Sequence, residues 1–67
     1  MENKEKICKK LYETLFETAK FIDLKDLRYD RERDIVIAEY ENGFTKEINV
    51  KGDSGWGVIK DVIKNIA

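Results

Sequence analysis

Asn42-Gly43, set between two runs rich in β-branched and aromatic residues, constrains this chain more than any other feature. The pair tolerates the positive φ values of a tight hairpin turn, so Asp34 to Lys51 (DIVIAEYENGFTKEINVK) reads as two antiparallel strands. A two-residue loop there predicts Glu41 opposite Phe44, and every further pair follows. One face then carries Ile35 opposite Val50, Ile37 opposite Ile48, and Glu39 opposite Lys46. The other carries Val36 opposite Asn49, Ala38 opposite Glu47, and Tyr40 opposite Thr45. The first face is apolar deep in the sheet and is expected to pack on the rest of the chain; the second is expected to be partly wet.

A helix is predicted from about Asn3 to Ile22, because Ile7, Leu11, Leu15, Ala19 and Ile22 recur at spacings of three or four. Cys8, Tyr12 and Phe16 widen the stripe, Asn3 can cap the start, and Glu2–Lys6 and Glu5–Lys9 are favourably ordered pairs. The pattern breaks near Asp23. Within Lys25–Asp30, Leu27 and Tyr29 alternate with charged residues as a short edge strand does. A three-residue loop would pair Tyr29 with Ile35 and Leu27 with Ile37 on the core face. Gly52-Asp53-Ser54-Gly55 turns the chain into a second helix, from Trp56 to Ile66. Asp53 or Ser54 supplies its cap; Trp56, Ile59, Ile63 and Ile66 form one stripe, with Val58 and Val62 beside it. The expected fold is α+β, in the order α-β-β-β-α, with both helices on one face of a three-stranded antiparallel sheet.

Sixty-seven residues make one small domain spanning 1–67, and the 40% charged share implies a heavily solvated surface. Thirteen basic and fourteen acidic side chains are interspersed, so no global field steers the chain to nucleic acid or an anionic membrane. Histidine is absent, which excludes imidazole catalysis and the commonest metal ligand. Cys8 stands alone, so no intrachain disulfide can form. No apolar run is long enough to span a bilayer, and MENKEKICKK lacks the apolar core of a secretory signal. A cytoplasmic, non-enzymatic chain without metal or cofactor is therefore expected.

Several residues invite a functional reading beside a structural one. Asp30, Glu32, Asp34 and Glu41 match acidic positions of a calcium loop, but the glycine required at the sixth position is Ile35. Asp53-Ser54-Gly55 can offer helical N–H groups to an anion, or simply cap the helix. Trp56, between two glycines, either covers the core between the helices or stands exposed as an aromatic anchor. Tyr40, Val36 and Ala38 on the outer sheet face, flanked by Arg28, form a candidate apolar patch. The arginines, Arg28, Arg31 and Arg33, fall within six residues of each other, interleaved with acids.

The α-β-β-β-α layout, with Gly55-Trp56-Gly57 before the last helix, resembles that of the double-stranded-RNA-binding domain. The resemblance implies binding of an RNA backbone by lysines at the start of that helix. Val58-Ile59-Lys60-Asp61 offers one lysine beside an aspartate, and the family's histidine-bearing loop is absent. The resemblance covers the layout and not the binding residues.

Two functions remain as expectations. The first is an interaction module that docks on a protein partner or self-associates through Trp56, Tyr40, Val36 and Arg28, such as an accessory or inhibitor protein of a bacterium, phage or mobile element. The second is a weak RNA or DNA binder using Arg28, Arg31, Arg33, Lys60 and Lys64.

Overall fold

Asn3 opens the first helix, its Oδ1 accepting a hydrogen bond from the Lys6 amide at 3.1 Å. That satisfies one of the first-turn N–H groups that has no intrahelical partner. The computed structural model describes residues 3–66, the Phe21 side chain excepted; the expected Glu2–Lys6 pair lies outside the described residues. The order is α1 (Lys4–Thr18), a 3-10 turn (Lys20–Ile22), β1 (Leu24–Asp30), β2 (Ile35–Tyr40), β3 (Thr45–Asn49) and α2 (Gly55–Ile66). The strands form an antiparallel sheet in the order β1-β2-β3, with α1 over β1 and α2 beside it over β3. The expected α-β-β-β-α architecture is the observed one.

Helix α1 stops four residues earlier than its apolar pattern predicts. Fifteen helical residues extend about 22 Å, the length of the seven-residue strand β1 beneath them. A longer helix would carry Ala19 and Ile22 past the sheet. Instead the chain turns back through Asp23, whose φ is 56° and whose carbonyl accepts from the Glu41 amide at 2.9 Å.

The central hairpin has a different register from the expected one. Its loop holds three residues, Glu41, Asn42 and Gly43, so that Tyr40 donates to the Phe44 carbonyl at 2.8 Å and Gly43 donates to the Tyr40 carbonyl at 2.9 Å. Only Gly43, at φ 90°, takes a left-handed backbone here, and the Asn42 side chain accepts from the Phe44 amide. Val36 therefore pairs with Ile48 and Ala38 with Lys46, while Ile35 and Ile37 pair with Asn49 and Glu47. A left-handed glycine closing a three-residue loop is the next commonest solution after the two-residue turn.

Burial explains why this register wins. The two-residue loop would have turned Ile35, Ile37 and Glu39 toward the helices and buried a carboxylate. The observed one turns Val36, Ala38 and Tyr40 inward, with Val36 and Ala38 both at 0% exposure. Glu39 stays outside, where Arg28 reaches it at 4.0 Å.

The β1–β2 loop is likewise one residue longer than expected, running from Arg31 to Asp34. Tyr29 pairs with Val36 and Leu27 with Ala38 in place of Ile35 and Ile37. Leu27 does face the core, as expected. Asp30 organises this loop: its carboxylate accepts from the Glu32 and Arg33 amides and from Arg33 Nε. The acidic run thus shapes a turn.

Helix α2 is rotated from its predicted stripe. Gly55, Val58, Val62 and Ile66 are its buried positions, whereas Trp56 is 69% exposed and Ile63 is 38% exposed. A glycine and two short β-branched side chains let the helix approach the sheet closely, and an indole at the contact would hold it away.

Candidate protein-docking surface

Of the four residues expected to meet a partner, the sheet carries one outside. Val36 is fully buried beneath the helices, and Tyr40 is half-buried against the same core. The outer-face patch built on them does not exist, because the three-residue loop turns their strand over. In its place Ile35 and Ile37 stand half-buried on the outer face, flanked by Arg28, Asp30, Glu47 and Asn49. Arg28 is exposed there and bonded to Asp26 at 3.4 Å.

Trp56 is different. The positions Trp56, Ile59 and Ile63 are spaced by three and four residues and so share one flank of α2. Ile59 lines a groove of about 260 Å³ with Ile7, Lys10, Leu11 and Thr14 of α1. The two helices run the same way, since α1 reaches β1 at the hairpin-tip end and α2 leaves β3 at the opposite end. Ile59 therefore meets the facing flank of α1 across that groove, and Trp56 and Ile63 lie on the same side of α2 before and after it. Phe44, 74% exposed at the hairpin tip, is a surface aromatic that its strand pattern does not single out. It borders a separate, more polar hollow of about 620 Å³ with Asp23, Glu41, Asn42 and Lys46.

Comparisons with protein families, curated proteins and solved structures found no match. The chemistry of the side chains must carry the reading.

The strongest polar cluster joins the elements together. Lys4 Nζ donates to Asp34 Oδ1 and to the Val50 carbonyl, both at 2.9 Å, and the Tyr29 hydroxyl donates to the same Asp34 oxygen at 2.6 Å. Asp34 also holds a left-handed backbone, with φ 53°, which aspartate tolerates better than most residues. One side chain thereby ties the start of α1 to the end of β1, while its carbonyl accepts from the Val50 amide after β3. The Tyr29 and Lys4 donors hold the Asp34 carboxyl below its usual range, and the bond to Asp34 raises the Tyr29 phenol. Cys8, 1% exposed, is part of the core, and burial pushes its thiol up to about 11. At neutral pH it is a protonated packing residue with no thiolate to react.

At the start of α2, the Ser54 hydroxyl accepts from the Gly57 amide at 3.4 Å. The Asp53 side chain packs beside the bare Cα of Gly57. A Cβ on Gly57 would lie 3.1 Å from that of Asp53. The hydrogen bond to Asp61, with burial added, raises the Asp53 carboxyl, and its Oδ2 is buried without a partner. The Asp53 carboxyl beside the first turn opposes an anionic ligand, so the phosphate reading loses its support.

A raised native pKa means that Asp53 stabilises the fold most below its unfolded value near 4. That contribution declines as pH rises through the native value. Asp61→Asn, whose amide can donate to the Asp53 carboxylate, should therefore raise the melting temperature at pH 7 by a few degrees and leave it nearly unchanged at pH 4. Thermal melts at both pH values check this; a lower melting temperature at pH 7 would refute an unfavourable Asp53 contact with Asp61.

The nucleic-acid candidates are divided between opposite sides of the molecule, with Arg28 and Arg33 toward the outer sheet face and the lysines on α2. Arg28 lies on the outer sheet face, and Arg33 is bonded to Asp30 at 2.9 Å and to Glu47 at 3.4 Å. Arg31 is exposed in the β1–β2 loop, while Lys60 and Lys64 are exposed on α2, in the layer behind the sheet. Among the described residues, no group of three His, Cys, Asp or Glu side chains could hold a metal, and no helix is long and apolar enough to cross a membrane.

Proposed function

We propose that this chain is a non-enzymatic interaction module that docks on another protein surface through the face shared by α1 and α2, with Trp56 as its anchor. The observation that carries this reading is the exposure of a tryptophan on the side of α2 whose Ile59 lines a groove with Ile7 and Leu11 of α1. Tryptophan is enriched among residues that dominate binding energy, and its ring is costly to leave in water without a partner. The polar clusters serve folding: Asp34 fastens three elements, Asp30 builds a loop, and Cys8 is packed.

The reading is tested by capture from a lysate of the source cells on immobilised protein, with and without nuclease. A specific protein should be retained through nuclease treatment, and Trp56→Ala should weaken its capture at least tenfold, or about 1.4 kcal/mol. The far-UV circular dichroism of the variant should match that of the parent, since the ring contributes little to the core. Retention of nucleic acid alone, released by salt and indifferent to Trp56, would replace this function with the alternative. Full capture by a folded Trp56→Ala variant would move the docking site elsewhere.

A further inference from the structure

The outward face of α1 carries a charge order that works against its own helix. Lys6, Lys10, Glu13 and Glu17 are spaced by four, three and four residues, so they form one stripe, and all four are exposed. The stripe lies opposite the buried Cys8 and Leu15, and its member Lys10 borders the apolar groove. A helix favours acids near its start and bases near its end. Here Lys6 sits in the first turn, Glu17 in the last, and no basic residue occupies that last turn. Lys4 breaks the same preference for an evident reason, its bond to Asp34. The described structure gives Lys6, Lys10, Glu13 and Glu17 no such ion pair.

The stripe is, however, complementary to itself when reversed. Run antiparallel, Lys6 meets Glu17 of a second α1, and Lys10 meets Glu13, with both relations repeated by symmetry. This is the matching that a twofold axis across the helix imposes, because such an interface uses the same patch on both subunits. We propose that the surface docking on the α1–α2 face is a second copy of this chain, placed by a twofold axis so that the two α1 helices lie antiparallel.

This inference rests on the docking reading above and names its partner. The axis passes between the two charge stripes, so the four charge pairs lie along the centre of the contact, and the exposed Trp56 and Ile63 of each α2 stand beside them toward the helix layer of the other copy. A specific interface needs about 800 Å² from each partner, roughly a sixth of the 4,886 Å² that the chain exposes. One broad face of a two-layer molecule measuring 31 × 20 × 17 Å can supply it. A partner with a uniformly charged docking helix would match only half of the stripe.

Sedimentation equilibrium of the full chain over a wide concentration range tests the proposal. A monomer–dimer equilibrium is expected, with dissociation raised at least tenfold by Trp56→Ala. Lys10→Glu alone and Glu13→Lys alone should each weaken the dimer, since each places like charges together. The double variant Lys10→Glu with Glu13→Lys should restore it, because the pair is regenerated with its signs exchanged. All four positions are solvent-exposed, and circular dichroism confirms that the variants fold. A dimer insensitive to both single changes, or not rescued by the double, would overturn the antiparallel arrangement. A monomer at every concentration would overturn the second copy as occupant. If Trp56→Ala still abolished capture of a different protein in that case, the docking function would stand without self-association.

Discussion

Val36→Asp should leave the chain without cooperative structure at room temperature, whereas Ile37→Asp should fold. Val36 is fully buried between Tyr29 on one neighbouring strand and Ile48 on the other. An unpaired carboxylate at such a site costs several kcal/mol, as much as a core of this size supplies in total. Ile37 faces the other way, beside Arg28 and Glu47 at the wet surface. Its substitution costs about 1 kcal/mol through lost strand preference and partial burial. Thermal melts and the dispersion of amide proton resonances separate the outcomes. The reverse result, with Ile37→Asp unfolded and Val36→Asp native, would return the hairpin to a two-residue loop.

Asp34→Ala should lower the melting temperature by roughly 10 °C. It removes the common acceptor of Lys4 and Tyr29, and it asks alanine to hold a φ of 53°. The Lys4 ammonium, only 16% exposed, would keep the Val50 carbonyl as its acceptor. Asp34→Asn should fall between the two, since asparagine accepts left-handed geometry and retains an acceptor oxygen without its charge.

The pH response of the parent carries the same signature. The Asp34 pKa is lowered in the native state, so its contribution is present above the unfolded value near 4 and lost as pH falls through the native one. The Tyr29 pKa is raised, so its contribution is present below the unfolded value near 10 and lost as pH climbs through the native one. Both limbs should be shallower in Asp34→Ala. An acid limb of unchanged steepness would assign the acid sensitivity to other carboxylates, such as Asp30, which Arg33 holds low.

The candidate surface was only partly legible from the residues. Trp56 stood out because it lies between two glycines, a poor setting for a helix start without a reason. Spacing places Ile59 and Ile63 on the core stripe because it identifies a stripe and not which edge of it faces solvent. The groove exists only when α1 and α2 lie side by side in the same direction, a relation no single helix encodes. Tyr40 and Val36 lie on the core side and not on the expected outer side because of one residue of loop length, which inverts every side chain of a strand.

The sequence by itself determined the order of elements, the site of the hairpin, the Asn3 cap and the lack of imidazole chemistry. Each depends on neighbours within a few residues: apolar period, turn residues, capping groups and composition. Only the tertiary structure decided the rest. Val36, Ala38 and Tyr40 won the core face because Glu39 would otherwise have been buried on it. The length of β1 ended α1 at Thr18, and close approach to the sheet rotated α2 onto Val58 and Val62, leaving Trp56 outside. Those choices depend on the free energy of burial between segments far apart in the chain, which local spacing does not report.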